Sequence, residues 1–109
     1  RKLVEDKANG SAVISELKST VSGLVPITPT ESKEARASSV TPYFEAGNVF
    51  IPEDTAAPWV PHYVSELLEF PAGSHDDQVD STTQALNYFR NGSGVILTRE
   101  QMQQARFRF

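Results

Sequence analysis

The chain has 109 residues, 39% of them hydrophobic and 22% charged, and ten Lys and Arg against fourteen Asp and Glu leave a net charge of −4. This length suits one small domain with a core of its own, and the absence of cysteine excludes a disulfide framework or a thiolate metal site. The mild acidic balance is no argument for nucleic-acid binding, although a metal-dependent nuclease can be acidic overall through its metal-binding carboxylates; no apolar run approaches the roughly 18 residues of a membrane span, and no signal-peptide hydrophobic region opens the chain.

Leu3-Val4 reads as the tail of a buried strand. Gly10-Ser11 punctuates, and Ser11 is placed to cap a helix over 11–22, with Ala12, Val13, Leu17 and Val21 at helical spacing and Ser22-Gly23 as its stop. Leu24-Val25-Pro26-Ile27 predicts a short strand, with Pro26 suited to an edge or end. Ser32 starts a second helix at Lys33, whose far end is blurred by Pro42 and closed by Gly47-Asn48. Val40, Tyr43 and Phe44 are its core-facing set. Val49-Phe50-Ile51 is a strand fragment, and 52–61 is a loop with three prolines. A third helix spans Tyr63 to Phe70, with Val64, Leu67 and Leu68 inward, and Pro71-Ala72-Gly73 stops it. Ser74 begins a fourth helix that runs to about Phe89. Asn91-Gly92-Ser93-Gly94 is a flexible joint, and Val95 to Phe109 reads as a last strand and a short helix. From residue 90 onward four Arg stand against one Glu. The order is strand, helix, strand, helix, strand, helix, helix, which predicts an α/β fold. The sheet is thin for a complete domain. The chain opens on Arg1 and its only Met is Met102, so it reads as a piece of something longer.

Two acidic clusters carry the candidate chemistry. The first is Gly73-Ser74-His75-Asp76-Asp77-Gln78-Val79-Asp80. Asp76 and Asp80 are one helical turn apart, and Asp77 and Asp80 are three residues apart, so all three can share one side of a helix. None has a basic residue four positions on: the partners there are Asp80, Ser81 and Gln84. Asp76 and Asp77 also suit a helix N-terminus, with Ser74-x-x-Asp77 as a variant capping box. Asp80 lies beyond the capping positions. A hard divalent cation takes carboxylate oxygens, and two such ions about 4 Å apart can clamp the attacking and leaving oxygens of a phosphodiester. The second cluster is Val4-Glu5-Asp6-Lys7-Ala8-Asn9-Gly10. It places a carboxylate at the C-terminal end of a strand, where α/β sheets hold ligands; a solvated turn is the alternative reading.

These two clusters do not stand alone. Between them run Pro26-Ile27-Thr28-Pro29, Ser32-Lys33-Glu34-Ala35-Arg36 and Phe44-Glu45-Ala46-Gly47-Asn48-Val49, and the acidic motif is preceded by Phe70-Pro71-Ala72. In order and spacing, over roughly residues 3–89, the set resembles the nuclease domain of tailed-phage terminase large subunits, the DNA-packaging motor proteins. The resemblance implies an RNase H-like fold and a metal-dependent endonuclease that cuts concatemeric double-stranded DNA during packaging. It also implies two Mg²⁺ or Mn²⁺ ions, and the portal and small terminase subunit as partners of the full-length parent. The setting it implies is the cytoplasm of a bacterial host, with the gene carried by a phage or prophage. By the family pattern Glu5 is the metal-binding acid after the fourth strand, with Asp6 as the weaker alternative. Asp76, Asp77 and Asp80 complete the catalytic metal site on the last helix. The preceding ATPase half is not represented, since no Gly-x-x-x-x-Gly-Lys-Ser/Thr loop occurs.

The family's first catalytic aspartate, on the first strand of its sheet, has no counterpart before Glu5. Residues 1–90 are therefore expected to be the second half of a nuclease domain with its first strands missing, followed by a basic tail over 91–109. Such a piece is expected to be inactive alone. Two other readings remain: a non-catalytic module that binds a partner or a second copy through an exposed sheet edge, and another RNase H-like enzyme of resolvase or transposase type.

Other residues have paired readings. Lys33 and Arg36 share a helical face and either touch phosphate, steady an active-site acid or stand solvated. His75 either assists metal or water or bonds locally. Trp59 and Tyr63 either cover the core edge or stack on bases. Arg99, Arg106 and Arg108 either bind DNA or another terminase part or belong to a plain basic tail, with Phe107 and Phe109 as core or contact residues.

Overall fold

The structure, a computed structural model, describes residues 1–91 and the backbone of residues 107 and 108. Most of the expected joint at 91–94, the strand and helix expected after it, and the side chains of Arg99, Arg106, Arg108, Phe107 and Phe109 lie outside the described residues. The described elements are β1 (Lys2–Glu5), α1 (Gly10–Leu17), β2 (Leu24–Ile27), α2 (Lys33–Glu45), β3 (Phe50–Ile51), α3 (Val60–Glu69), α4 (Asp77–Arg90) and β4 (Phe107–Arg108). Up to residue 91 this is the predicted order, a mixed α/β chain. The chain divides into two units, Arg1–Ser32 and Lys33–Phe109. None of the described helices is long and apolar enough to cross a membrane.

The first unit is a β-α-β turn. β1 and β2 pair in parallel with Lys2 opposite Leu24, Val4 opposite Pro26 and Glu5 opposite Ile27. Pro26 is exposed and has no N–H to give to a ladder. The predicted helix over 11–22 is shorter and differently faced. It ends at Leu17, where the Ser19 hydroxyl bonds the Glu16 carbonyl and the Thr20 hydroxyl bonds the Leu17 carbonyl. Such local hydroxyl bonds compete with helix continuation. Asn9, not Ser11, occupies the cap position, without a side-chain cap bond. The buried residue of α1 is Ile14, whereas Val13 and Leu17 are exposed. Gly23 closes the turn into β2 at φ 75°, a conformation that a Cβ would penalise.

In the second unit α2 begins at Lys33 and runs through Pro42 to Glu45. Pro42 removes the N–H that would bond the Ser38 carbonyl, yet the helix closes properly beyond it. Gly47 N–H bonds the Phe44 carbonyl, Asn48 N–H bonds the Tyr43 carbonyl, and Gly47 has φ 70°. This is the Schellman arrangement, which needs glycine at that position. α2 and α4 lie against each other and run in the same direction, since Lys33 meets Asp76, Arg36 meets Asp80 and Ser39 meets Asn87. Val40 on α2 is 2% exposed, and Val79 and Thr83 on α4 are 3% and 4% exposed; all three line a cavity shared with Leu67 and Phe70.

α3 starts three residues before the predicted Tyr63 because Pro61 sits in its first turn, where a missing N–H costs nothing. Its inward face also differs from the prediction. Leu68 is 73% exposed, and the buried residue in its neighbourhood is Glu66. Ile51, Ala57 and Val60 form a second core cluster, closed by Tyr63 and Val64. β3 pairs antiparallel with β4, Phe50 opposite Arg108 and Ile51 opposite Phe107. Trp59 is 53% exposed and meets the Tyr63 ring edge-on at 5.6 Å, while the Tyr63 hydroxyl bonds Thr82 Oγ1 at 2.7 Å.

Candidate functional site

The segment Gly73 to Asp80 does not begin its helix where Ser74 predicts. α4 starts at Asp77, with Asp76 in the cap position at φ −142° and no capping bond from its side chain. The Asp76 carboxylate is instead turned to α2. Lys33 Nζ donates to both Asp76 oxygens at 2.9 Å and forms an ion pair with Asp80 Oδ2 at 2.9 Å. Arg36 Nη2 donates to Asp80 Oδ1 at 2.8 Å. The basic partners that α4 does not supply for itself thus come from a helix 43 and 44 residues earlier.

Two like charges one turn apart repel each other, and Lys33 offsets this by standing between them. The hydrogen bond that it donates to Asp80, then that to Asp76, holds its ammonium charged well above the ordinary lysine range, against a smaller effect of burial. The Asp80 and Arg36 side chains are 17% and 11% exposed, so this pair is shielded from solvent. Lys33 and Asp76 are more open, at 43% and 37%. Asp77 differs from both its neighbours: it is exposed, and it makes no ion pair among the described residues.

The cap of α4 is a residue that the sequence reading leaves out. Glu66, on α3, accepts the backbone N–H of Gln78 at 2.6 Å and that of Val79 at 3.1 Å through one oxygen, Oε1. Its other oxygen accepts Gln78 Nε2 at 2.7 Å. Gln78 Nε2 also meets His62 Nδ1 at 3.2 Å. Glu66 is 7% exposed, and a buried carboxylate needs such donors. The bond from Gln78 Nε2 leads in holding its pKa below 4.5, helped by the two backbone bonds and His62 and opposed by burial. The signal that marks it is an interruption: Glu66 falls three residues after Tyr63 and four before Phe70, on a stripe otherwise apolar. His75 is exposed and lines a small cavity of about 100 Å³ with His62, Ser65, Glu66, Glu69 and Ser74.

Glu5 ends β1 in the first unit and is half-buried. The following turn is tight. Asp6 N–H continues the ladder to the Ile27 carbonyl at 2.7 Å, and Gly10 N–H bonds the Lys7 carbonyl at 2.9 Å. A methyl group on Gly10 would collide with the Glu5 carbonyl oxygen, so glycine here lets the chain double back beside the acid. Asp6 is half-buried just beyond the strand.

The structure therefore brings Asp76 and Asp80 together through Lys33, leaves Asp77 exposed beside them, and carries Glu5 and Asp6 on the other unit. Among the described residues no group of three or more His, Asp or Glu forms a ready metal cage. The donors are nonetheless hard carboxylate oxygens, the kind that Mg²⁺ and Mn²⁺ take while keeping water. Asp77 suits that use best, because no cation already claims it among the described residues.

The family model described as the terminase RNaseH-like domain matches residues 3–89 of the chain. No curated protein and no solved structure matches it.

Proposed function

The chain belongs to the family of terminase RNaseH-like domains, and from that premise we propose that it is the metal-dependent endonuclease portion of a phage terminase large subunit. Its substrate is concatemeric double-stranded DNA, cut during genome packaging. The observation that carries the reading is the family match over residues 3–89; within it, the inequality among the three α4 acids singles out Asp77, since Asp76 and Asp80 are held by Lys33 and Arg36 while Asp77 is exposed and unclaimed by any described cation. Asp77 is the acid of α4 that we assign to metal, and Glu5 is the acid of the first unit assigned to the same chemistry. Bound there, divalent ions would supply a water of lowered pKa and would offset charge on the phosphodiester oxygens. The chain's own groups do the positioning. Lys33 and Arg36 fix Asp76 and Asp80 against α2, which sets the direction of the first turn of α4 and of Asp77 within it.

Millimolar Mn²⁺ added to the chain is expected to broaden the amide NMR signals around Asp77 and Glu5, and Asp77→Ala is expected to abolish the effect at α4. In the full-length terminase the same substitution is expected to abolish DNA cutting and leave ATP hydrolysis intact. Retained cutting would overturn the assignment. The ion pairs also favour a second reading, a non-catalytic module in which the acids only dock α4 on α2. Under that reading Mn²⁺ broadens nothing specifically.

A further inference from the structure

We propose that Glu66 is a positioning residue of this site: it fixes the first turn of α4, and with it the direction of Asp77, from a separate helix. The inference rests on the assignment of Asp77 to metal. Its ground is where the bonds fall. Glu66 Oε1 holds the two N–H groups that directly follow Asp77 in the chain, those of Gln78 and Val79, and Oε2 holds the Gln78 side chain. On the other side of Asp77, the Asp76 carboxylate is held by Lys33. Asp77 is thus clamped between two anchored neighbours while its own side chain stays exposed.

A helix start is ordinarily capped by its own Ser, Thr, Asp or Asn. Here the local cap residue, Asp76, makes no capping bond, so the task passes to α3. The cost of such an arrangement is a buried carboxylate, which is tolerated because it accepts three bonds. Glu66 touches neither substrate nor metal in this scheme; it acts through the backbone that carries Asp77. Supporting groups behind a metal ligand typically carry about 10–100-fold in metal affinity or activity.

The test is Mn²⁺ titration of the chain, followed by NMR broadening at Asp77, in four proteins: the parent, Glu66→Met, Glu66→Gln and Asp77→Ala. Methionine keeps the volume and removes the acceptor, whereas glutamine keeps a carbonyl oxygen for the two backbone N–H groups. Glu66→Met is expected to weaken Mn²⁺ uptake by about 10–100-fold, with spectra unchanged away from the start of α4, and Glu66→Gln is expected to restore most of it. A purely structural role would not move metal affinity in a chain that remains folded. Parent-like affinity in Glu66→Met overturns the positioning role and leaves the Asp77 assignment standing. Parent-like affinity in Asp77→Ala, or no uptake by the parent, overturns both. If Glu66→Met does not fold, Gln78→Ala removes one of the three bonds. Weaker uptake in it supports the inference, and unchanged uptake overturns it.

Discussion

Glu66 accepts its bonds best as a carboxylate, which is why folding holds its pKa below 4.5. A pKa depressed in the folded chain gives stability that is fully present above the unfolded value and is lost as pH falls through the folded one. Urea unfolding at successively lower pH should therefore show the parent losing stability from about 4.5 downward. Glu66→Gln keeps an acceptor but does not titrate, so it should lose less over the same range; equal losses would remove Glu66 as a contributor. At this scale the sequence shows the raw material of the site and hides its wiring. Three aspartates within five positions are visible by eye, and so is the Lys33–Arg36 spacing. Their pairing across more than forty residues leaves no local pattern. The result is that Asp76 and Asp80 stand in a different electrostatic environment from Asp77.

Among the elements, the α3 stripe shows how a helical period can be right while its phase is wrong. Val64 and Leu67 are half-buried as predicted, but Leu68 faces water and Glu66 faces the core. Apolar count alone favours Leu68; the need to cap α4 reverses it. Two substitutions measure the difference by chemical denaturation. Val79→Ala, at a buried site on α4, should cost about 2 kcal/mol for the methyl groups and the space they leave. Leu68→Ala should stay within about 0.5 kcal/mol, as exposed sites do. A comparable loss at Leu68 would mean that this face is covered in solution. Strand β2 and the start of α2 are the most legible elements, since Pro, Gly and Ser punctuate them closely. The end of α1 is the least, because Ser19 and Thr20 bond to carbonyls that a longer helix would use.

For the molecule as a whole, what sequence order conveys is the α/β alternation and the placement of Glu5 at a strand end, both of which the fold bears out. What it does not convey is the division into two units at Ser32 and Lys33, since that depends on contacts rather than on punctuation. The loan of a cap from α3 to α4 has a further consequence for how the second unit opens. The first N–H groups of a helix have no partner within it and ordinarily trade their hydrogens with solvent at once. Gln78 and Val79 are early in α4, yet a buried oxygen of another helix holds both. Their amides are released when the Glu66 side chain withdraws or when α3 and α4 part, so in deuterated water they should outlast Asp77, and where parting of the helices is the route they should keep pace with mid-helix amides such as Thr83. Exchange as fast as that of Asp77 would show the cap to be transient. Exchange as slow as that of Thr83 would make the opening of the acidic turn part of the same cooperative event as separation of the two helices, not an early fraying of one end.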